Sequence, residues 1–281
     1  MSSLPRISIV TPSYQQAPYL ERTLRSVLEQ GYADLDYIVM DGGSKDGSLE
    51  IIQRYASRLS YWQSQPDGGQ AAAIRAGFGR ATGEVMGWLN SDDVLLPGAL
   101  QAVGAYFASH PQVECATGGG LYIDEEGLPS PHRRMNFSRG VRSTYDRLLH
   151  YEPQEGVFQQ STFWRRAAYD AVGGVDASFQ YTMDLDLLLR LTQRQPLQRI
   201  PAWVGAFRWH GTNKTHSLPE VLERELARLY QMHGVVQPPR GLDRLKGMAY
   251  GAQTLLRKTA WTAARGVGLL RLPDARWQLK P

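Results

Sequence analysis

A single cysteine, Cys115, stands in a chain of 281 residues. One thiol excludes an internal disulfide framework and points to a reducing compartment. Its ordinary place is as a small buried apolar side chain. Long apolar runs are also missing: none approaches the ~18 residues needed to span a bilayer. Met1 to Pro5 carries no signal-peptide pattern, and Ile7-Ser8-Ile9-Val10 already has the character of a core strand. There is no internal repeat and no low-complexity tract. No Gly-x-Gly-x-x-Gly joins the first strand to its helix, which argues against a dinucleotide-dependent oxidoreductase.

What is present suits a soluble globular protein, with 42% hydrophobic and 21% charged residues. The length allows one large domain or two small ones. The net charge of +4 is uneven, since Arg240 to Pro281 holds nine Lys/Arg against two Asp. The body is therefore mildly acidic. A nucleic-acid-binding protein would carry basic charge on its functional face, so no nucleic-acid partner is expected. The tail instead suits an anionic surface. From Leu242 to Gly266 it shows a helical stripe of Leu242, Leu245, Ala249, Ala252, Leu256, Ala260 and Ala263. Arg244, Lys246, Arg257, Lys258 and Arg265 fall largely elsewhere, as on a helix lying on anionic lipid. A helix packed on the body with a solvated basic face is the alternative.

The first part of the chain alternates strand and helix signals. Strands are predicted at Arg6 to Thr11, Asp36 to Met40, Tyr61-Trp62, Glu84 to Leu89 and Val113 to Thr117. Helices are predicted at Tyr19 to Gln30, Ser48 to Tyr55, Gln70 to Ala81 and Pro97 to Ser109. Such alternation implies parallel βαβ units covered on both faces. Ligands then gather beyond the C-terminal strand ends, where Pro12-Ser13-Tyr14, Asp41 and Asn90-Ser91-Asp92-Asp93 would lie. Gly118 to Arg142 reads as loops or a hairpin, Asp184 to Gln193 as a helix, Arg199 to Arg208 as strand plus turn, and Pro219 to His233 as a helix.

Two acidic clusters carry chemistry. Asn90-Ser91-Asp92-Asp93 ends the apolar run Val85 to Leu89, and carboxylates at a strand end suit a hard divalent cation. Asp184-Leu185-Asp186 opens a helix, where a carboxylate is a candidate general base. The first has a bland alternative, a helix N-cap before Pro97, and Asp41 with Asp46 has another, an Asx-turn. Pro12-Ser13-Tyr14, Asp41 and Asn90-Ser91-Asp92-Asp93 converge on one sheet edge, which favours the functional reading.

Ile9-Val10-Thr11-Pro12-Ser13-Tyr14, Val39 to Ser48 and Trp88 to Asp93 resemble the signature of the family 2 glycosyltransferases. Gly173-Gly174-Val175-Asp176 followed by Met183-Asp184-Leu185-Asp186-Leu187 resembles that family's acceptor-side segment. The resemblance runs from about Arg6 to about Ser217. It implies a GT-A fold, the nucleotide-diphospho-sugar transferase fold, with a mostly parallel central sheet flanked by helices. The catalytic domain would be 1–218, with a helical basic extension at 219–281. It also implies a nucleotide-sugar donor, a UDP-sugar by default with dTDP and GDP as alternatives, and inversion at the anomeric carbon.

By position, the resemblance implies that Pro12, Tyr14 and Asp41 hold the nucleoside, with Tyr14 against the base and Asp67 at the base or ribose. Asp92 matches the metal-binding end of an Asp-x-Asp motif for Mg²⁺ or Mn²⁺, with Asp93 beside it on the donor. Asp184 matches the catalytic carboxylate. Asn90 replaces the first Asp, so one donor contact is neutral. Met183 replaces the Glu that usually precedes the base, and Ile74-Arg75 stands where Arg-Asn is common, with Arg75 a candidate phosphate or base contact. In some relatives a His near position 210 reaches the metal or diphosphate, so His210 is a second metal candidate and Lys214 a phosphate partner. Gln159, Gln160, Trp164 and Arg165 are acceptor-pocket candidates, and Trp88 is expected in the core.

The expected product is a metal-dependent glycosyl transfer of hexosyltransferase type to a glycan or lipid-linked acceptor. The expected location is cytoplasmic, peripheral on the inner membrane face through the tail. A sugar nucleotidyltransferase is the first rival. It would carry a basic Gly-rich loop where Pro12-Ser13-Tyr14-Gln15-Gln16 stands. A degenerate nucleotide-sugar-binding module is the second, and the retained Asp92 and Asp184 argue against it.

Overall fold

The computed structural model describes residues 4–129, 137–138, 143–151, 157–214, 219–235, 248–249 and 256. Strands and helices alternate at first: β1 (Ile7–Ser13), α1 (Ala17–Leu28), β2 (Leu35–Asp41), α2 (Ser48–Tyr55), β3 (Tyr61–Ser64), α3 (Gln70–Arg80) and β4 (Val85–Trp88). Then come β5 (Val94–Leu95), α4 (Ala99–Ser109), β6 (Cys115–Ile123), β7 (Phe137–Ser138), α5 (Tyr145–Tyr151), β8 (Thr162–Arg165) and α6 (Arg166–Ala171). The described elements close with α7 (Met183–Arg194), β9 (Gln198–Arg208) and α8 (Pro219–Met232).

The described strands form one sheet in the order β3-β2-β1-β4-β8-β6-β9-β5, with β7 on β6. The pairs β3–β2, β2–β1 and β1–β4 are parallel, as the βαβ rhythm requires. Beyond β4 the sheet is mixed: β8 inserts antiparallel between β4 and β6, β9 runs parallel to β6, and β5 is antiparallel to β9. The sheet is mostly parallel, as expected, with its short antiparallel pairs gathered beyond β4.

Strand residues alternate between two apolar layers with the period of two that a pleat imposes. Ile7, Ile9, Tyr37, Val39 and Val85 enter the core under α1, α2 and α4. Val10, Ile38, Met40, Met86 and Trp88 enter the core under α3, α6 and α7. Both faces are covered, which is why these strands are near-continuous apolar runs. Trp88 is in the core as expected. Cys115 is buried and free, and burial pushes its thiol up to about 12, so it is inert at neutral pH.

α3 lies directly on β1 because Gly77 has no side chain. A Cβ there would sit 2.5 Å from Val10 Cγ1 and 3.2 Å from Met40 Cγ. Gly77→Ala should lose about 1–3 kcal/mol of stability through overpacking. Urea denaturation would show a lower midpoint at unchanged slope; an unchanged midpoint would mean that α3 shifts freely on the sheet.

α8 begins at the expected boundary of the C-terminal extension, yet its Leu229 is fully buried in the same core as Leu187, Leu188 and Leu191 of α7. The tail pattern from Leu242 to Gly266 lies outside the described residues, apart from 248–249 and 256. Among the described residues, no helix is long and apolar enough to cross a membrane.

Candidate active site

The register of two short strands builds the acidic end of the site. β5 follows Asp93 directly, and Val94 lies opposite Ala206 while Leu95 lies opposite Gly205 of β9. The antiparallel pairing runs the chain before β5 alongside the chain after β9, which brings Asp92 to His210. Asp92 Oδ2 and His210 Nε2 are 3.1 Å apart. The imidazole is fully buried, and 18% of the Asp92 side chain is exposed. Thr212 Oγ1 lies 2.8 Å from His210 Nδ1, and Tyr19 stacks on the ring with centroids 4.5 Å apart. These contacts fix which nitrogen faces the carboxylate.

The loop carrying Asp92 is pinned from behind. The Thr23 hydroxyl of α1 lies 2.9 Å from Ser91 O and 2.7 Å from Asp93 O. Arg208, fully buried, donates from Nε to Asp92 O and from its backbone N–H to Asp93 Oδ1, both at 2.8 Å. Asp93 points inward: it is 1% exposed, and its Oδ2 is buried without a hydrogen-bond partner. Burial, and then the charge of Asp92, push its carboxyl well above the usual carboxylate range. Of the two adjacent carboxylates, Asp92 is presented and Asp93 is sealed in.

At the other end of the sheet edge, β1 and β2 stop together, with Ser13 opposite Asp41. Pro12 is buried in β1. Asp41 is fully buried, and its oxygens accept from Gly43 N, Ser44 N, Ser44 Oγ and Ser64 Oγ. That is the Asx-turn reading of Asp41: its carboxylate sets the turn instead of facing the cleft. At the next position two side chains close over the backbone. A Cβ on Gly42 would stand 3.2 Å from both Asp67 Oδ2 and Tyr14 Cδ2. Tyr14, 63% exposed, and the Asp67 carboxylate thus meet over a bare peptide. Gln15, beside Tyr14, has a left-handed backbone with φ of 54° and ties the two loops through Ser44 Oγ and Lys45 N.

Asp184 sits in the first turn of α7, where Leu185 N–H donates to its Oδ1 at 2.8 Å. The carboxylate is partly exposed at the surface but crowded by protein. Burial raises its pKa, and the Leu185 N–H offsets this in part. Asp186, two residues on and turned to the other side of the helix, is fully buried and paired with Arg190.

Side chains link the two carboxylate ends. Gln70 Nε2 donates to Asn90 Oδ1 at 2.9 Å. Lys214, four residues after His210, reaches Gln70 Oε1 at 3.2 Å and Gln180 O at 2.6 Å. Burial holds the Lys214 ammonium below its usual pKa. Asn90, Asp92, His210, Lys214 and the loop before Asp184 therefore form one contiguous wall. Arg75 is placed otherwise: exposed, it donates to Val175 O at 3.1 Å and braces the Gly173-Gly174-Val175 turn.

The acceptor-pocket candidates are mostly corrected. Trp164 is 1% exposed and packs on Phe78 and Trp88. Arg165 bonds Glu84, Val113 O and Phe107 O, at the sheet end remote from the strand C-termini. Gln160 is buried, and Gln159 donates to Trp88 O at 2.8 Å. The sequence signal misled because β8 is an interior strand whose aromatic and polar residues face covered layers. Conversely, Tyr19, Arg208, Thr212 and Gln70 were not singled out. Their only signal is adjacency to singled-out motifs, since each acts across a tertiary contact.

Residues 8–172 match the model of the family named Glycosyl transferase family 2. The chain belongs to that family. A glycosyltransferase of Mycobacterium tuberculosis is 30% identical over 197 residues, covering 68% of this chain and 70% of that relative. Two solved structures share the GT-A fold at 16% identity. S. aureus TarS 1–349 in complex with UDP-GlcNAc has a TM-score of 0.58 over 95% of this chain and 76% of that one. The mannosyltransferase PcManGT of Pyrobaculum calidifontis, in complex with GDP-Man and Mn²⁺, has a TM-score of 0.59 over 96% of this chain and 77% of that one. The glycosyltransferase thus has the GT-A fold.

Proposed function

We propose that this family 2 glycosyltransferase is metal-dependent and inverting, moving a hexosyl group from a nucleoside diphosphate donor to a hydroxyl of a glycan or lipid-linked acceptor. One observation carries the reading. The Asp92–His210 pair at 3.1 Å is tied through Lys214 to the loop that presents Asp184. Asp92 and Asp184 both retain access to solvent, as groups facing a substrate must.

The residues at Asp92 fit a divalent cation. One carboxylate oxygen and one imidazole nitrogen face each other, and no third His, Cys, Asp or Glu completes a cluster among the described residues. Two protein ligands suit Mg²⁺ or Mn²⁺, whose remaining positions go to substrate phosphates and water. Bound there, the cation would neutralise charge developing on the departing diphosphate. The protein's own groups do the rest. The exposed Tyr14 face takes the base by stacking, and Asp67 accepts from a base or ribose donor. Lys214, while holding Gln180 O, also reaches Gln70 Oε1 beside Asn90, where a phosphate oxygen can join its partners. Asp184 accepts the acceptor hydroxyl's proton as that oxygen attacks the anomeric carbon opposite the leaving group, and the configuration inverts. TarS, a structural neighbour, was solved with UDP-GlcNAc, which supports a UDP-sugar as the first donor to test. PcManGT was solved with GDP-Man, which keeps GDP-sugars in the panel. The basic tail supports a peripheral place on the cytoplasmic membrane face.

Thermal unfolding with UDP-glucose, UDP-GlcNAc, dTDP-glucose and GDP-mannose, each with and without Mn²⁺, tests this. One nucleotide class should stabilise the protein by about 2.7 kcal/mol at a hundredfold excess over Kd with Mn²⁺, and by clearly less at the same concentration without it. That donor should then be slowly hydrolysed. Stabilisation without any turnover would leave the binding-module rival. Pyrophosphate release from a nucleoside triphosphate and a sugar phosphate would establish the nucleotidyltransferase.

A further inference from the structure

The loop that delivers Asp184 holds its first half itself, with Ser178 N and Phe179 N donating to Asp176, but its last three amides reach outside it. Residues 176–182 join the Gly173-Gly174 turn to α7, and their backbone N–H groups need partners ahead of the helix. Thr182, the N-cap residue, makes no side-chain cap to its own helix. The partner comes from α8. Glu225 Oε1 accepts from Gln180 N at 2.6 Å, and Oε2 accepts from Tyr181 N at 2.8 Å and Thr182 N at 3.0 Å. The Thr182 hydroxyl adds a fourth contact at 3.2 Å. Three consecutive N–H groups converging on one carboxylate form an anion cradle, here filled by the protein's own side chain.

The anchor is specific. Glu225 is 7% exposed, a rare state for a carboxylate without compensating donors. Burial alone would raise its pKa, but the N–H groups of Gln180, Tyr181 and Thr182 outweigh burial and hold it below the ordinary value. Its neighbour Arg228 grips the same loop, donating to Ser178 Oγ at 2.9 Å and lying over the Phe179 ring. On the other face Lys214 holds Gln180 O. One peptide is therefore clamped by a carboxylate on its N–H side and by an ammonium on its carbonyl side. Asp184 follows two residues after the last clamped amide, on the first turn of the helix that the clamp orients.

We propose that Glu225 is a positioning residue for transfer, setting the place and direction of the Asp184 carboxylate by anchoring the backbone of residues 180–182. This rests on the reading of Asp184 as the base. It also makes α8, outside the matched residues 8–172, a working part of the catalytic unit. Misplacing a reacting group by about 1 Å can cost about 10²-fold in rate, while a donor held by other loops binds as before.

The test uses the full chain, with UDP-glucose, UDP-GlcNAc, dTDP-glucose and GDP-mannose as donors and Mn²⁺ present. Glu225→Gln keeps the shape but offers one acceptor oxygen and no charge. It should lower kcat for donor hydrolysis about 10²-fold while donor KM stays within about twofold, the pattern of a group acting on the chemical step. Amide hydrogen exchange at 180–182 should quicken at least tenfold, with no change at 91–93. Glu225→Asp keeps the charge one methylene short, should recover part of kcat, and serves alone if Glu225→Gln does not fold. Wild-type kcat in both variants, or loss of donor affinity in step with kcat, would overturn the proposal. Asp184→Asn in the same assay separates the two readings. If it is inactive while Glu225→Gln turns over normally, the positioning role alone falls. If it is active, the base assignment falls, and the exchange rates still decide whether Glu225 anchors the loop.

Discussion

Asp184→Asn should lower turnover by about 10²- to 10⁴-fold, the range a positioned general base contributes, while leaving donor affinity within about twofold. An acceptor hydroxyl is a weak nucleophile near neutral pH, so the attacking oxygen needs a partner that takes its proton in the transition state. Asp184 has the attributes of that partner. Burial keeps its pKa above the ordinary aspartate value, which strengthens it as a base. Backbone N–H groups are the influences that offset burial there. Asparagine preserves the size and the Leu185 hydrogen bond but accepts no proton. Calorimetric donor binding and steady-state transfer check the two halves separately, and full turnover in the purified variant would remove Asp184 from the mechanism.

The same raised pKa has a consequence for stability with a definite sign. A carboxyl whose folded pKa exceeds its unfolded value binds its proton more tightly in the native state. Stability then declines as pH rises from the unfolded pKa through the folded one. At neutral pH the charged Asp184 costs the fold free energy, so Asp184→Asn should melt at or above the wild-type temperature. The difference should shrink as pH falls toward 4. A variant that loses activity while gaining stability is a base removed; one that loses both is a fold disturbed.

The first half of the fold is legible in the sequence because its elements are local. Ile7 to Val10, Asp36 to Met40 and Val85 to Trp88 are apolar runs closed by Pro12, Gly42-Gly43 and Asn90, and each became a buried parallel strand. The second half is decided by distant partners. Gly118-Gly119-Gly120 carries a loop composition, yet lies within β6 because Val204 and Phe158 occupy the space that side chains would need. Val94-Leu95 is too short to announce a strand, though its pairing with β9 brings Asp92 to His210. The roles of paired acids behave likewise. Asp92 and Asp93 are chemically identical neighbours, and only the Arg208 backbone decides which of them faces inward. Asp41 carries the motif, while the space beside Gly42 is filled by Asp67 and Tyr14. Glu225 is one of several Glu on an ordinary amphipathic helix, and nothing local distinguishes it.

Asp92→Ala should weaken donor binding in the presence of Mn²⁺ by about 10²-fold, or about 3 kcal/mol, and should leave metal-free binding of the nucleoside unchanged. The asymmetry follows from how the wall is divided. In the proposed reading Tyr14 and Asp67, which meet beside Gly42, take the base and ribose, beyond the reach of this substitution. Asp92 and His210 would serve the diphosphate end, and two protein ligands are too few to hold Mn²⁺ strongly without phosphate oxygens. Metal and donor affinities are therefore linked, each raising the other by the same factor, and Asp92→Ala should abolish that reciprocity. His210→Ala should act in the same direction with a smaller effect, because the carboxylate charge remains. Titration of UDP-GlcNAc or GDP-mannose with and without Mn²⁺ gives all four affinities. If wild type and Asp92→Ala show the same Mn²⁺ enhancement, the cation is held elsewhere and the Asp92–His210 pair is only a structural hydrogen bond.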